Sequence, residues 1–189
     1  MATSSTGRVS DTGPFNWHGT TRTLPDNIEQ TITRLGGKGL SPEDRGALAR
    51  YLEAGLRPVR PAAPAGATEP EPAVVARGRA VFHDRTVGCS SCHDSSGAFT
   101  DGEAHDVESL SAAEKEELKR TLGDKPLEAT AAAFDTPSLR QVGRTAPYFH
   151  DGSAPTLEAL VENNRDRMGK TSQLSTADRR ALVAYLRTL

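Results

Sequence analysis

The residue pattern predicts an all-α chain of short helices joined by long loops, on three observations. No segment shows the period-two alternation of apolar and polar residues that marks a half-buried strand. Several segments open on helix-capping signals and then carry apolar residues at helical spacing. The 17 glycines and 12 prolines among 189 residues leave much of the chain as loop. Hydrophobic content is 35% and aromatic content 5%, which is lean for this length. So thin a core needs a rigid body that side chains do not supply, such as a metal, disulfides or a large cofactor.

In chain order, Ser41-Pro42-Glu43-Asp44 offers an N-cap, a proline at the first helical position and acids for the helix dipole, and predicts a helix to about Leu56. Residues 57–72, RPVRPAAPAGATEPEP, are Pro- and Ala-rich without periodicity and read as a semi-stiff linker. Residues 73–83 predict a helix carrying Val74, Val75, Ala80 and Val81. Ser111-Ala112-Ala113-Glu114 is a capping box that starts a polar helix ending near Gly123. Thr156 to Asn163 predicts a short helix. Ser175 caps the last one, with Ala181, Leu182, Tyr185, Leu186 and Leu189 on one face.

The chain also repeats itself. The stretch from Pro14 to Leu52 matches that from Pro147 to Leu186 with one single-residue gap. Before the gap it pairs Pro14/Pro147, Gly19/Gly152, Thr23/Thr156, Leu24/Leu157, Arg34/Arg167 and Gly36/Gly169. After it come Leu40/Leu174, Ser41/Ser175, Asp44/Asp178, Leu48/Leu182, Tyr51/Tyr185 and Leu52/Leu186. This is the mark of duplicated domains. Residues 1–56 then read as the back half of an upstream domain, 57–72 as the linker, and 73–189 as the second domain.

Both cysteines lie in Cys89-Ser90-Ser91-Cys92-His93. Two thiols three residues apart on a helical turn reach the two vinyl groups on one edge of a haem, and the adjoining His swings under the iron. The spacing is a recognised signal for covalent attachment of haem c. A thioredoxin-like redox pair would want a strand before it and a helix after it. A zinc site would want two further ligands at short spacing, and no H-x(3–5)-H or second Cys pair is present. The pattern therefore predicts one covalent haem on Cys89 and Cys92, with His93 as an iron ligand.

For the sixth iron position the sequence offers Met168, since the other methionine is Met1. The competing reading makes Met168 a core filler, but Asn163 to Lys170 is polar almost throughout, and a core Met normally has apolar neighbours. His150 and His105 are weaker alternatives as ligands, each equally able to hold a loop by hydrogen bonds, and His83 stands just before the Cys motif.

Phe134-Asp135-Thr136-Pro137-Ser138-Leu139-Arg140, followed by Thr145-Ala146-Pro147-Tyr148-Phe149-His150-Asp151-Gly152-Ser153 and Thr156-Leu157-Glu158, resembles the C-terminal haem domain of bacterial di-haem cytochrome c peroxidases and MauG-like proteins. Phe99-Thr100-Asp101-Gly102 and His105-Asp106-Val107 add to the likeness, which covers about residues 73–189. The resemblance implies a cytochrome c-like haem domain on the electron-entry side, with Cys89 and Cys92 forming thioethers and His93 and Met168 as axial ligands. One Cys-x-x-Cys-His is present, and the front repeat carries Leu35 where the rear carries Met168. The front segment is thus expected to be a partial, haem-less repeat of the same fold.

A His/Met-ligated iron is six-coordinate, and the Met raises its potential relative to two His. With no vacant position for peroxide, the expected job is outer-sphere electron transfer. A second expectation is the electron-entry part of a larger di-haem peroxidase or MauG-like oxidoreductase, and a third is a haem-based sensor with a labile Met168. The expected partner is a redox protein, a small cytochrome or cupredoxin, or a second haem domain. A net charge of -2 without a basic, aromatic-interleaved stripe excludes nucleic acid. No apolar run approaches the roughly 20 residues that cross a bilayer. Haem attachment at this motif implies a periplasmic or otherwise extracytoplasmic place. The first eight residues lack a secretory signal, and with the opening in mid-domain they read as a truncated chain.

Overall fold

The computed structural model describes residues 9–54, 70–94, 97–122 and 132–189. They form six α-helices: α1 (Leu24–Arg34), α2 (Pro42–Ala54), α3 (Pro72–His83), α4 (Ala112–Leu122), α5 (Leu157–Glu162) and α6 (Thr176–Leu186). The expected linker lies outside the described residues up to residue 69, and α3 opens on Pro72. The capping signals act as read. Ser41 Oγ accepts from Asp44 N at 3.1 Å, Ser111 and Glu114 bond reciprocally, and Ser175 Oγ accepts from Asp178 N at 3.1 Å.

Three differences from the sequence reading stand out. Helix α1 was not among the expected elements. Thr23 nevertheless caps it, Pro25 sits in its first turn, and Leu24 and Ile28 bury one turn apart. A two-stranded antiparallel ladder joins β1 (Ala104–His105) to β2 (Phe134–Asp135); strands of two residues are too short to show alternation. On α3 the valines are not the most buried positions, though Val75 and Val81 pack half-buried against the core. Gly78 and Phe82 are buried, while Val74 is 36% exposed.

The main core gathers Phe82, Val87, Val142, Leu157, Leu182 and Tyr185. Its centre is the crossing of α3 over α6. The backbones approach so closely at Gly78 that a Cβ there would overlap the Ala181 carbonyl oxygen, and the Phe82 and Tyr185 rings lie 5.4 Å apart. A smaller core joins α1 to α2 through Leu24, Ile28 and Ala49.

The paired segments have the same local geometry. Phe15 bridges Thr21 as Tyr148 bridges Ala154. Asn16 and Phe149 both take positive φ, as do Gly19 and Gly152. Each turn leads through a threonine cap into a helix, then a loop, then a serine-capped helix. The front segment is joined to the rear at β2: Asp135 N donates to Trp17 O at 2.8 Å, His18 Nδ1 donates to Ala133 O at 2.7 Å, and the His18 ring stacks on Phe134.

Candidate functional site

Helix α3 ends at His83, and Asp84 turns the chain by accepting from Thr86 N and Oγ1. Gly88 then takes φ +85 and starts the 3-10 turn Cys89–Ser91, with the Cys92 N–H closing on Cys89 O. Cys89 and Cys92 are both free thiols, the first buried and the second half-buried. Burial pushes the Cys89 thiol up to about 11. A thioredoxin-type nucleophile needs the opposite shift, toward the thiolate.

His93 follows directly. Its Nδ1 lies 2.9 Å from Phe99 O; a carbonyl can only accept, so Nδ1 carries the proton and Nε2 keeps the lone pair. Burial holds the imidazolium form down against the opposing pull of the Phe99 carbonyl and Asp101, so the ring is a neutral donor. One nitrogen fixed by a hydrogen bond and the other left bare is the arrangement that orients a metal-ligating histidine. The Phe99 loop is braced in turn: Thr100 Oγ1 donates to Thr136 O at 2.6 Å and Ser138 Oγ to Ala98 O at 2.6 Å. Two unpaired thiols and an oriented neutral imidazole on one short segment fit the attachment of a c-type haem.

Met168 lies in the tight loop between α5 and α6 and is half-buried. This loop closes on the cysteine turn. Lys170 N donates to Val87 O at 2.7 Å, and a Cβ on Gly169, at φ +108, would stand 2.9 Å from Val87 O and 3.1 Å from Cys89 Sγ. The fold thus brings the Met168 segment against the Cys89 segment across some eighty residues of chain. What shapes the loop is Asn164, 3% exposed. Its Nδ2 donates to Gly169 O and Thr171 Oγ1, and its Oδ1 accepts from Met168 N at 2.9 Å. Sequence reasoning missed Asn164, which sits in a polar run that reads as solvated. The one available signal was an Asn pair where a short helix stops.

The other histidines have partners of their own. His150 Nε2 lies 2.9 Å from Glu114 Oε1, and its ring stacks on Phe134 at 4.5 Å. Glu114 is held down at about 2, first by its bonds to Ser111 and then by His150. His105 Nε2 bonds Asp101 Oδ2 at 2.7 Å, and His83 packs edge-on to Phe82. Donor atoms of Cys92, Asp101 and His105 do lie within 4.8 Å of one another, a proximity that spacing along the chain did not reveal. Asp101 and His105 are already bonded to each other, and no fourth donor joins them among the described residues. Leu35, the counterpart of Met168, is 73% exposed at the end of α1. No helix among the described residues is long and apolar enough to cross a membrane.

The cytochrome c-like family described as RoxA-like matches residues 133–169. The hydrazine synthase subunit gamma of Kuenenia stuttgartiensis is 32% identical over 141 residues, 60% of this chain and 40% of that protein. The methylamine utilization protein MauG of Methylorubrum extorquens is 37% identical over 123 residues, 60% of this chain and 33% of that protein. The cytochrome c551 peroxidase of Nitrosomonas europaea is 40% identical over 62 residues, 33% of this chain and 18% of that protein. A solved structure of the Kuenenia hydrazine synthase matches with a TM-score of 0.64 at 27% identity, over 97% of this chain and 70% of that one. The chain therefore has a cytochrome c-like fold, and the resemblance to MauG-like proteins and cytochrome c peroxidases holds. It spans 40% or less of the length of these curated relatives.

Proposed function

We propose that this chain is a c-type cytochrome unit that holds one haem by thioethers from Cys89 and Cys92, ligates its iron through His93 and Met168, and transfers electrons. One observation carries the reading: next to two unpaired thiols stands a neutral imidazole whose Nδ1 is bound to Phe99 O and whose Nε2 has no partner among the described residues. When bound, the haem supplies a one-electron iron couple. The polypeptide anchors it at two points, presents Nε2 of His93 from a fixed ring orientation, and brings up the Met168 thioether on a loop held by Asn164. Two protein ligands leave no position for a substrate, which suits outer-sphere transfer.

The organisation proposed with it is a partial, haem-less repeat in residues 1–56, a linker in 57–72 and the haem domain in 73–189. The matched turns and caps of the two segments support it. Extracytoplasmic location follows from the attachment chemistry. The redox partner is a small cytochrome, a cupredoxin or a second haem domain; one relative is itself named as a subunit of hydrazine synthase. The test is a reduced pyridine-haemochrome spectrum of the denatured protein, expected to show one thioether-bound haem per chain. Colourless protein, or pigment extracted into acidified acetone, refutes the proposal.

A second reading makes the chain the electron-entry part of a larger peroxidase or MauG-like oxidoreductase, favoured by the names of its relatives and the fraction of their length it spans. Peroxide turnover with a reduced donor would support it. Ligand exchange with carbon monoxide or imidazole would instead mark a sensor.

A further inference from the structure

Among the described residues, three buried side-chain atoms have no hydrogen-bond partner: Asp135 Oδ1, His150 Nδ1 and Arg140 Nη1. The first two can lose what makes them costly. Burial pushes the Asp135 carboxyl up to about 6, so a proton can remove its charge. His150 faces Glu114 with Nε2 at 2.9 Å, and with the proton there Nδ1 is a bare lone pair on a neutral ring. A guanidinium has no such escape, because it keeps its charge at any ordinary pH. A buried donor on a permanent cation calls for an anion. Arg140 stands beside the cysteine turn. Its backbone N–H donates to Ser138 Oγ at 3.2 Å, Ser138 Oγ donates to Ala98 O at 2.6 Å, and Arg140 Nη2 donates to Gly97 O at 3.5 Å. The guanidinium is thus tied to residues 97 and 98, next to the Phe99 carbonyl that orients His93. Across the front segment Asp11 Oδ2 stands 3.7 Å from Nη1, too long for a hydrogen bond, on a side chain that is 50% exposed.

We propose that Arg140 binds the cofactor itself, its Nη1 donating to a propionate of the haem as a hold separate from the thioethers and the iron ligands. The inference rests on the haem assignment made above. Haem brings two carboxylates to the site along with its two vinyl groups, and a guanidinium matches a carboxylate as a fork matches two oxygens. The loop that fixes the His93 ring would then also fix the tilt of the porphyrin over that ring, through Ser138 and the Ala98 carbonyl. The pairing has an electrostatic result as well. An uncompensated propionate favours ferric iron, so a guanidinium that neutralises it raises the potential.

The test uses the full-length, haem-loaded protein with Arg140→Gln, Arg140→Lys and Asp11→Asn. A pyridine-haemochrome spectrum first establishes the covalent haem in each. Resonance Raman then reads the propionate bending band, whose position follows hydrogen bonding to the carboxylate, and a redox titration reads the midpoint potential. Arg140→Gln is expected to move the band and lower the potential. Arg140→Lys keeps the charge without the fork, so it should restore most of the potential while the band stays displaced. Asp11→Asn should leave both at the parent values. Should Arg140→Gln fail to accumulate with haem, the band of Arg140→Lys decides alone. Loaded protein whose band ignores the Arg140 substitutions overturns this inference and leaves the proposed function standing. A fall in potential that Asp11→Asn reproduces also overturns it, because the guanidinium then answers to Asp11. Protein without thioether-bound haem refutes the proposed function, and the inference falls with it.

Discussion

Replacing Gly78 by Ala sets two well-known effects against each other. In an open helix the change stabilises by roughly 0.5–1 kcal/mol, because Gly loses more backbone entropy on folding. At the α3–α6 crossing the added methyl would overlap the Ala181 carbonyl oxygen and lie 2.5 Å from its carbon and 2.9 Å from Tyr185 Cβ, where carbon atoms prefer about 3.5–4 Å. The carbonyl belongs to backbone inside α6 and cannot rotate away, so the helices must separate along the largest contact in the core. Overpacking of this kind costs about 1–3 kcal/mol, occasionally more, and a rigid neighbour puts it at the upper end. The net expectation is a loss of about 2 kcal/mol, or roughly 4–8 °C in Tm for a chain of this size. Gly46→Ala in α2 is the control. Its Cβ would meet only the mobile end of Arg50, at 3.4 Å, so it should stabilise by about 0.5–1 kcal/mol. Urea and thermal unfolding followed by circular dichroism read both. A Gly78→Ala protein as stable as the parent would refute the close crossing.

Met168→Ala should abolish the weak far-red Met-to-iron charge-transfer band of the oxidised protein and lower its potential; an unchanged spectrum assigns the sixth position to another ligand. Asn164→Ala removes three bonds from the Met168 loop and strands buried polar groups, so a loss of about 1–3 kcal/mol in thermal or urea unfolding is expected, together with a weaker far-red band. Asp135 has a buried Oδ1 without a partner, and burial, reinforced by Asp101 and Glu103, pushes it up to about 6. An acid raised in the folded state binds its proton more tightly there, so its contribution to stability falls as pH rises from about 4 to 6 and is level beyond. Melting curves of Asp135→Asn should therefore match the parent below about pH 4 and gain on it through about pH 6.

The parts of this protein that were legible in its sequence are those where chemistry fixes spacing. The Cys89-x-x-Cys92-His93 spacing is what the proposed haem attachment requires, and the structure forms caps such as Ser111 with Glu114 where orphan amides at a helix start call for them. The missed parts depend on partners distant in sequence or on backbone atoms. The acceptor that orients His93 is the Phe99 carbonyl, and a carbonyl leaves no trace in the residue code. Asn164 lies among charged residues and looks solvated, yet it is buried because its loop closes on itself. Along α3 the valines drew the eye, while the decisive position was Gly78, whose value lies in having no side chain. Helix α1 has weak propensity and stands because Leu24 and Ile28 find α2.

The crossing at Gly78 has a mechanical corollary. The cysteine turn follows shortly after α3, and the Met168 loop shortly precedes α6. The two helices behave as the arms of a caliper pivoted where they touch, with the jaws at the segments proposed to grip the iron. Loosening the pivot should widen the gap between the jaws, so a substitution far from either jaw should weaken the Met168-to-iron bond proposed above.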